Sequence, residues 1–141
     1  MAKKIDVAAM EELANKGNGF AQLIMGDIYR DGIDALNVSQ DSAKSFGWYQ
    51  KAANQDFMSA QHNLGVMYSN GHGVRQDYAK AFEWFQKAAN QGDTDAQYNL
   101  GVMYLNGEGV RQDYIEAKEW FGKACDNGDQ MGCDSYRELN N

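Results

Sequence analysis

The chain has 141 residues, 43% of them hydrophobic and 12% aromatic, with fifteen glycines, two cysteines and no proline. Twenty acidic side chains against thirteen basic ones give a formal charge of −7, which argues against a nucleic-acid partner held through its phosphates and favours a basic protein partner. No apolar run approaches the roughly 18 residues that a membrane helix needs, so no membrane span is expected.

Residues 1–20 read as a capping helix over 6–16. Ala9, Met10, Leu13 and Ala14 stand where Trp48, Tyr49, Ala52 and Ala53 stand one unit later, and Gly17 ends the segment. Glu11, Glu12 and Lys16 give it a polar outer face, as the end of a stacked array requires. Lys3 and Lys4 have no apolar stretch behind them, so no secretory signal is visible and a cytoplasmic protein is expected. A signal already removed would make it periplasmic or secreted.

Residues 21–59 form the first full unit and the divergent one. Gly26, Tyr29 and Gly32 keep register with Gly65, Tyr68 and Gly71, and Asp41 is placed to cap the second helix. The connector 33–40 is three residues longer than its counterparts and lacks their Gly-Val. Asn37-Val38-Ser39 within it matches a glycosylation acceptor, read as chance without a secretion signal.

Residues 60–95 and 96–131 are one 36-residue unit written twice, with about two-thirds of the paired positions identical. A fixed period of this length means a stacked repeat. In each copy an apolar stripe at i, i+3 and i+4 (Leu64, Met67 and Tyr68 in the first) predicts one helix. A glycine-rich break follows, and Asp77 is a good N-cap for a second helix with inner face Ala81, Trp84, Phe85 and Ala88. Residues 91–93 end that helix, and Asp95 is placed to cap the next. Gly65 and Gly101 sit mid-helix, where each costs about 1 kcal/mol against alanine. Their recurrence at one phase predicts the close approach of a neighbouring helix carrying Trp84 or Trp120. Residues 132–141 read as a closing helix, with Arg137 at the position of Gly101.

Leu-Gly-x-x-Tyr, Gly-x-Gly-Val, Asp and Ala-x-x-Trp-Phe-x-Lys-Ala, in this order and spacing, resemble Sel1-like repeats, relatives of the tetratricopeptide repeat. The resemblance implies an all-α fold, a right-handed α-solenoid of helix-turn-helix repeats with half-repeat caps, used to hold other proteins. The stretch from Lys123 to Cys133 resembles the cysteine-rich branch of that family. In that branch, cysteines at this spacing link a second helix to the following first helix, which implies a Cys125–Cys133 bridge. Two reduced thiols in a cytosolic chain are the competing reading.

No catalytic, cofactor or metal site is expected. Two cysteines are too few for structural zinc and the histidines lie far from them in sequence. The common serine, lysine and histidine motifs of hydrolases are missing. β-Lactam binding is associated with the cysteine-rich branch, but the chain has no serine-lysine motif for it. His62 is matched by Tyr98 and Leu23, and His72 by Glu108, so neither is a recurring chemical group.

The remaining surface is the concave face that tetratricopeptide-like packing assigns to the first helices. Leu23, Asp27 and Arg30 fall there, then His62, Val66 and Ser69, then Tyr98, Val102 and Leu105. These positions vary between copies while the core does not, and they predict a groove acidic toward the N-terminal end and apolar toward the C-terminal end. The expected function is non-catalytic binding of a protein or peptide by a monomer, as an adaptor for a signalling protein or as a cognate inhibitor. A bacterial immunity protein masking a toxin domain is one alternative, and a secreted disulfide-stabilised protein with a ligand-binding or enzyme-like role is another.

Overall fold

The computed structural model describes residues 6–141; Met1–Ile5, including Lys3 and Lys4, lie outside the described residues. Within them the chain forms α1 (Val7–Asn15), α2 (Gly19–Asp31), a short 3-10 turn (Asp34–Leu36), α3 (Ser42–Ala53), α4 (Met58–Asn70), α5 (Tyr78–Asn90), α6 (Thr94–Asn106), α7 (Tyr114–Asp126) and α8 (Gln130–Leu139). The described residues contain no strand, only an isolated antiparallel pairing of Ile33 with Val38 that closes the long first connector. Each helix packs most extensively on its neighbours in sequence, as in a stacked array whose core lies between adjacent elements.

Helix starts follow the polar residue before each apolar stripe. The carboxylates of Asp41 and Asp77 accept from the third backbone N–H onward (Lys44 and Lys80). Such a cap is worth about 1 kcal/mol. α6 differs from expectation: Asp93, not Asp95, is its cap, and Asp95 lies in the first turn. In α1, Ala14 is buried, but Ala9 and Leu13 face solvent rather than the next helix.

The mid-helix glycines do mark close approaches, but to a different residue. The neighbour is the aromatic ring one position after the tryptophan: Tyr49 over Gly26, Phe85 over Gly65 and Phe121 over Gly101. A methyl group at Gly101 would stand 2.5 Å from the Phe121 ring. These rings are nearly fully buried, each contributing on the order of 2–3 kcal/mol of apolar burial. The tryptophans sit further out, with Lys51, Lys87 and Lys123 lying over Trp48, Trp84 and Trp120 at 4.7, 4.6 and 4.2 Å. In each pair the ammonium itself stands over the indole face, a cation–π contact. Gly73 and Gly109 seat each later connector on the preceding repeat. Both have positive φ, and a Cβ on either would run into the main-chain carbonyl of Ser42 or Tyr78.

A line of buried glutamines joins the units. Gln22, Gln61 and Gln97 donate through Nε2 to the carbonyls of Ala14, Ala53 and Ala89 at 3.2, 3.4 and 3.2 Å. Their Oε1 atoms accept from Gln55, Gln91 and Asn127 one helix pair further on. Every polar atom of the buried amide that faces the core junction is thereby answered. At the C-terminal end the pattern stops, and Cys133 is joined to Cys125 by a disulfide with Cα atoms 4.4 Å apart.

Candidate binding groove

α2, α4 and α6 present one face, and three neighbouring cavities open along it. The first, about 330 Å³, is an acidic basin at the N-terminal end of α4, lined by Asp27, Arg30, His62, Asn63, Asp93 and Asp95 among others. The second, about 330 Å³, lies between α2 and α4 and includes Arg30, Asn63, Val66 and His72. The third, about 340 Å³, lies between α4 and α6 over Phe85, with Val66, Ser69, Asn99, Val102 and Glu108 in its walls. Arg30 and Asn63 belong to the first two cavities and Val66 to the last two. The three therefore adjoin one another along α4 and together make up a trough.

The basin is held rigidly by its own charges. The Arg30 guanidinium makes two 3.0 Å bonds to Asp31 and stands 3.6 Å from Asp27. The Asp31 hydrogen bond holds Arg30 firmly protonated, and Arg30 in turn holds the Asp31 carboxyl below the usual range. The buried Tyr49 hydroxyl donates to Asp27. Burial, then that hydrogen bond, pushes the Tyr49 phenol well above its ordinary value, so it stays a neutral donor.

His62 Nδ1 is buried, lies 3.0 Å from Asp93 Oδ2 and makes no geometrically formed hydrogen bond among the described residues; its ring packs edge-on against Phe85. Burial pushes the Asp93 carboxyl up. His62 and the N–H groups of Asp95 and Ala96 outweigh this and hold it below the usual range. The contact ties α4 to the cap of α6 at the far end of the same repeat.

Of the residues expected at a binding face, Asp27, Arg30, His62, Val66, Ser69 and Val102 line the trough. Tyr98 and Leu105 are half-buried on the same helix as Val102 but are not among the residues lining these three cavities. The Tyr98 ring is committed to Phe121, 5.4 Å away. Leu23 packs against the core cluster around Tyr49 and Leu64. Asn63 and Asn99, which recur at one position, also line the trough, and their side-chain amides make no hydrogen bond among the described residues. That recurrence was the signal for them in the sequence. Among the described residues, no group of three or more His, Cys, Asp or Glu could hold a metal ion, and no helix is long and apolar enough to cross a membrane.

The Sel1 repeat family model matches residues 19–57, 59–93 and 94–129. A Sel1 repeat protein from Oxalobacter formigenes is 32% identical over 94% of this chain and 98% of its own, with a TM-score of 0.82. A protective antigen present in uropathogenic Escherichia coli strains, displaying an SLR fold, is 31% identical with a TM-score of 0.70. This chain, covered over 94%, spans 35% of that protein. Helicobacter pylori cysteine rich protein B shares the fold at 24% identity and a TM-score of 0.68, over 94% of this chain and 98% of its own. No curated protein matches the chain. Three matched repeats covering most of the sequence, with the same helix pairs in the fold, place the chain in the Sel1 repeat family.

Proposed function

We propose that the chain is a non-catalytic scaffold that holds a protein or peptide in the trough formed by α2, α4 and α6. One observation carries this reading: the three cavities adjoin along α4, and two of the residues that line them, His62 and Ser69, stand where the next repeat has a different residue (Tyr98 and Leu105), while the packing residues behind stay the same. Sel1 repeat proteins are in general interaction modules, which agrees with a face built for contact rather than chemistry. An adaptor and a cognate inhibitor such as an immunity protein would use the same face; the latter would also silence its partner's activity.

The Cys125–Cys133 bridge favours an oxidising compartment, periplasmic or extracellular, over the cytoplasm expected from the N-terminal sequence.

The test is site-specific photo-crosslinking in the native cell. A crosslinker at Ser69, in the trough, is expected to yield a discrete adduct that Val102→Asp removes. One at Gln86, on the outer face of α5, is expected to yield none. Adducts from Gln86 and none from Ser69 would assign binding to the second helices and overturn the reading.

A further inference from the structure

We infer that the occupant of the trough is an extended peptide segment carrying a lysine or arginine, with a small apolar side chain about three residues away. This rests on the reading of the trough as the binding face and adds the chemistry of what it takes.

The two ends of the trough differ in kind. At the basin, Arg30 is engaged by Asp31 on two bonds, so its charge is already spent within the chain. Asp93 is held ionised, and the Asp95 side chain is exposed with no ion-pair or hydrogen-bond partner among the described residues. Asp27, Asp93 and Asp95 share the recess with one guanidinium that Asp31 already engages. Asp27 stands 3.6 Å from that guanidinium and Asp93 lies beside His62, while Asp95 has no partner among the described residues, so the recess keeps a net negative charge whose field low-dielectric walls focus toward a cation. At the other end, Phe85, Val66 and Val102 form an apolar floor in a cavity of about 340 Å³, suited to an aliphatic side chain of modest size.

Each end also carries a free primary amide, Asn63 in the wall of the basin and Asn99 in the wall of the apolar cavity. Each offers donors and an acceptor, which match the main chain of an extended segment. A helical segment satisfies its own main chain and leaves these amides unused.

The spacing follows from the helix beneath. His62 at the basin and Ser69 at the apolar cavity are seven positions apart on α4, or about 10 Å at 1.5 Å per residue. Extended chain rises about 3.3 Å per residue, so about three residues span that distance.

Fluorescently labelled octapeptides on a glycine-serine background test this with the full chain. One carries Arg and Val three positions apart, a second carries them in reverse order, and a third has Glu in place of Arg. One of the two Arg peptides is expected to bind, and the Glu peptide to bind about tenfold more weakly or worse. Asp95→Lys, which removes no internal contact, is expected to weaken the Arg peptide about tenfold and to bring the Glu peptide up. Equal binding of Arg and Glu peptides, lost on Val102→Asp, would remove the cationic occupant while leaving the trough as the binding face. No binding by any of them at millimolar concentration, with the Ser69 adduct still formed, would overturn the extended segment and leave a folded surface as occupant. Loss of the adduct pattern itself would bring down the reading beneath both.

Discussion

Gln97 reaches back across the turn between α5 and α6 and donates to the main-chain carbonyl of Ala89 at 3.2 Å. One repeat later the same two positions are Cys133 and Cys125, joined by a disulfide. A hydrogen bond that closes every interior junction is thus replaced, at the last junction, by a covalent one. Gln97 Oε1 is in turn answered by Asn127 of the following turn, whereas the disulfide closes its junction without a further partner.

Reducing the bridge is expected to lower stability by roughly 2–3 kcal/mol in the chain-entropy model for a short closed segment. The loss should be local, because α8 packs mainly on α7. Hydrogen exchange with and without reductant measures it: amides of α8 speed up while those of α2 keep their rates. Cys125→Ala combined with Cys133→Gln restores the interior pattern and should recover about 1 kcal/mol of the loss, the worth of one hydrogen bond. No recovery would show that the bridge does something other than substitute for the amide.

Gly101→Leu is expected to be far more destabilising than Glu108→Leu. The Phe121 ring occupies the space a side chain at Gly101 would need, and overpacking of this kind costs typically 1–3 kcal/mol. That exceeds the roughly 1 kcal/mol of helix propensity gained by replacing glycine. Glu108 stands at a cavity rim, bonded only to Asn106. Urea midpoints compare the two directly, and equal midpoints would overturn the close-contact account.

Asp93 gives a pH signature. Its folded-state pKa is depressed, so its contribution is fully present above the unfolded carboxyl value of about 4 and is lost as pH falls through the lower folded value. Asp93→Asn keeps a capping acceptor but removes the charge at the start of α6, for an expected loss of about 0.5–1 kcal/mol at neutral pH. Urea titrations from pH 7 downward should show parent and variant converging from about pH 4. A constant difference across that range would mean that shape, not charge, sets the effect.

The repeat, the helix pairs and most of the trough were legible because they recur. Two copies at fixed spacing fix what is core, and positions that differ, such as His62 against Tyr98, then stand out. What recurrence left unread was which neighbour meets which. Trp84 and Phe85 are adjacent and both recur, so the pattern alone does not say which ring lies over Gly65; that depends on how α5 is rotated where it packs on α4 within the repeat. The glutamine junction was present as Gln22, Gln61 and Gln97, but a polar residue beside an alanine carries no hint that it is 5% exposed or less. Leu13 was read as inward by analogy with Ala52, yet it is 49% exposed. Among the described residues no helix precedes α1 to bury it.

The last expectation separates binding from folding at the trough. On sequence grounds Tyr98→Ala should weaken binding and leave stability unchanged, but the Tyr98 ring packs 5.4 Å from Phe121. Such aromatic pairs contribute about 0.5–1.5 kcal/mol beyond their area, so this variant is expected to lower the thermal midpoint, and any lost binding would be mixed with lost structure. Asp27→Asn carries the same problem, because Asp27 accepts the hydrogen bond of the buried Tyr49 hydroxyl. Asp95 has a lighter second duty: its side chain is exposed and free of internal bonds among the described residues, and its charge acts only on the N-terminal end of α6, worth about 0.3–1 kcal/mol. Asp95→Asn should therefore lower the thermal midpoint only slightly while slowing association with a basic partner, and the difference in association rate from the parent should shrink as salt rises. Stopped-flow association at two ionic strengths, beside a thermal melt, reads both. A midpoint lowered only slightly, with an unchanged association rate at low salt, would remove the basin from the binding surface.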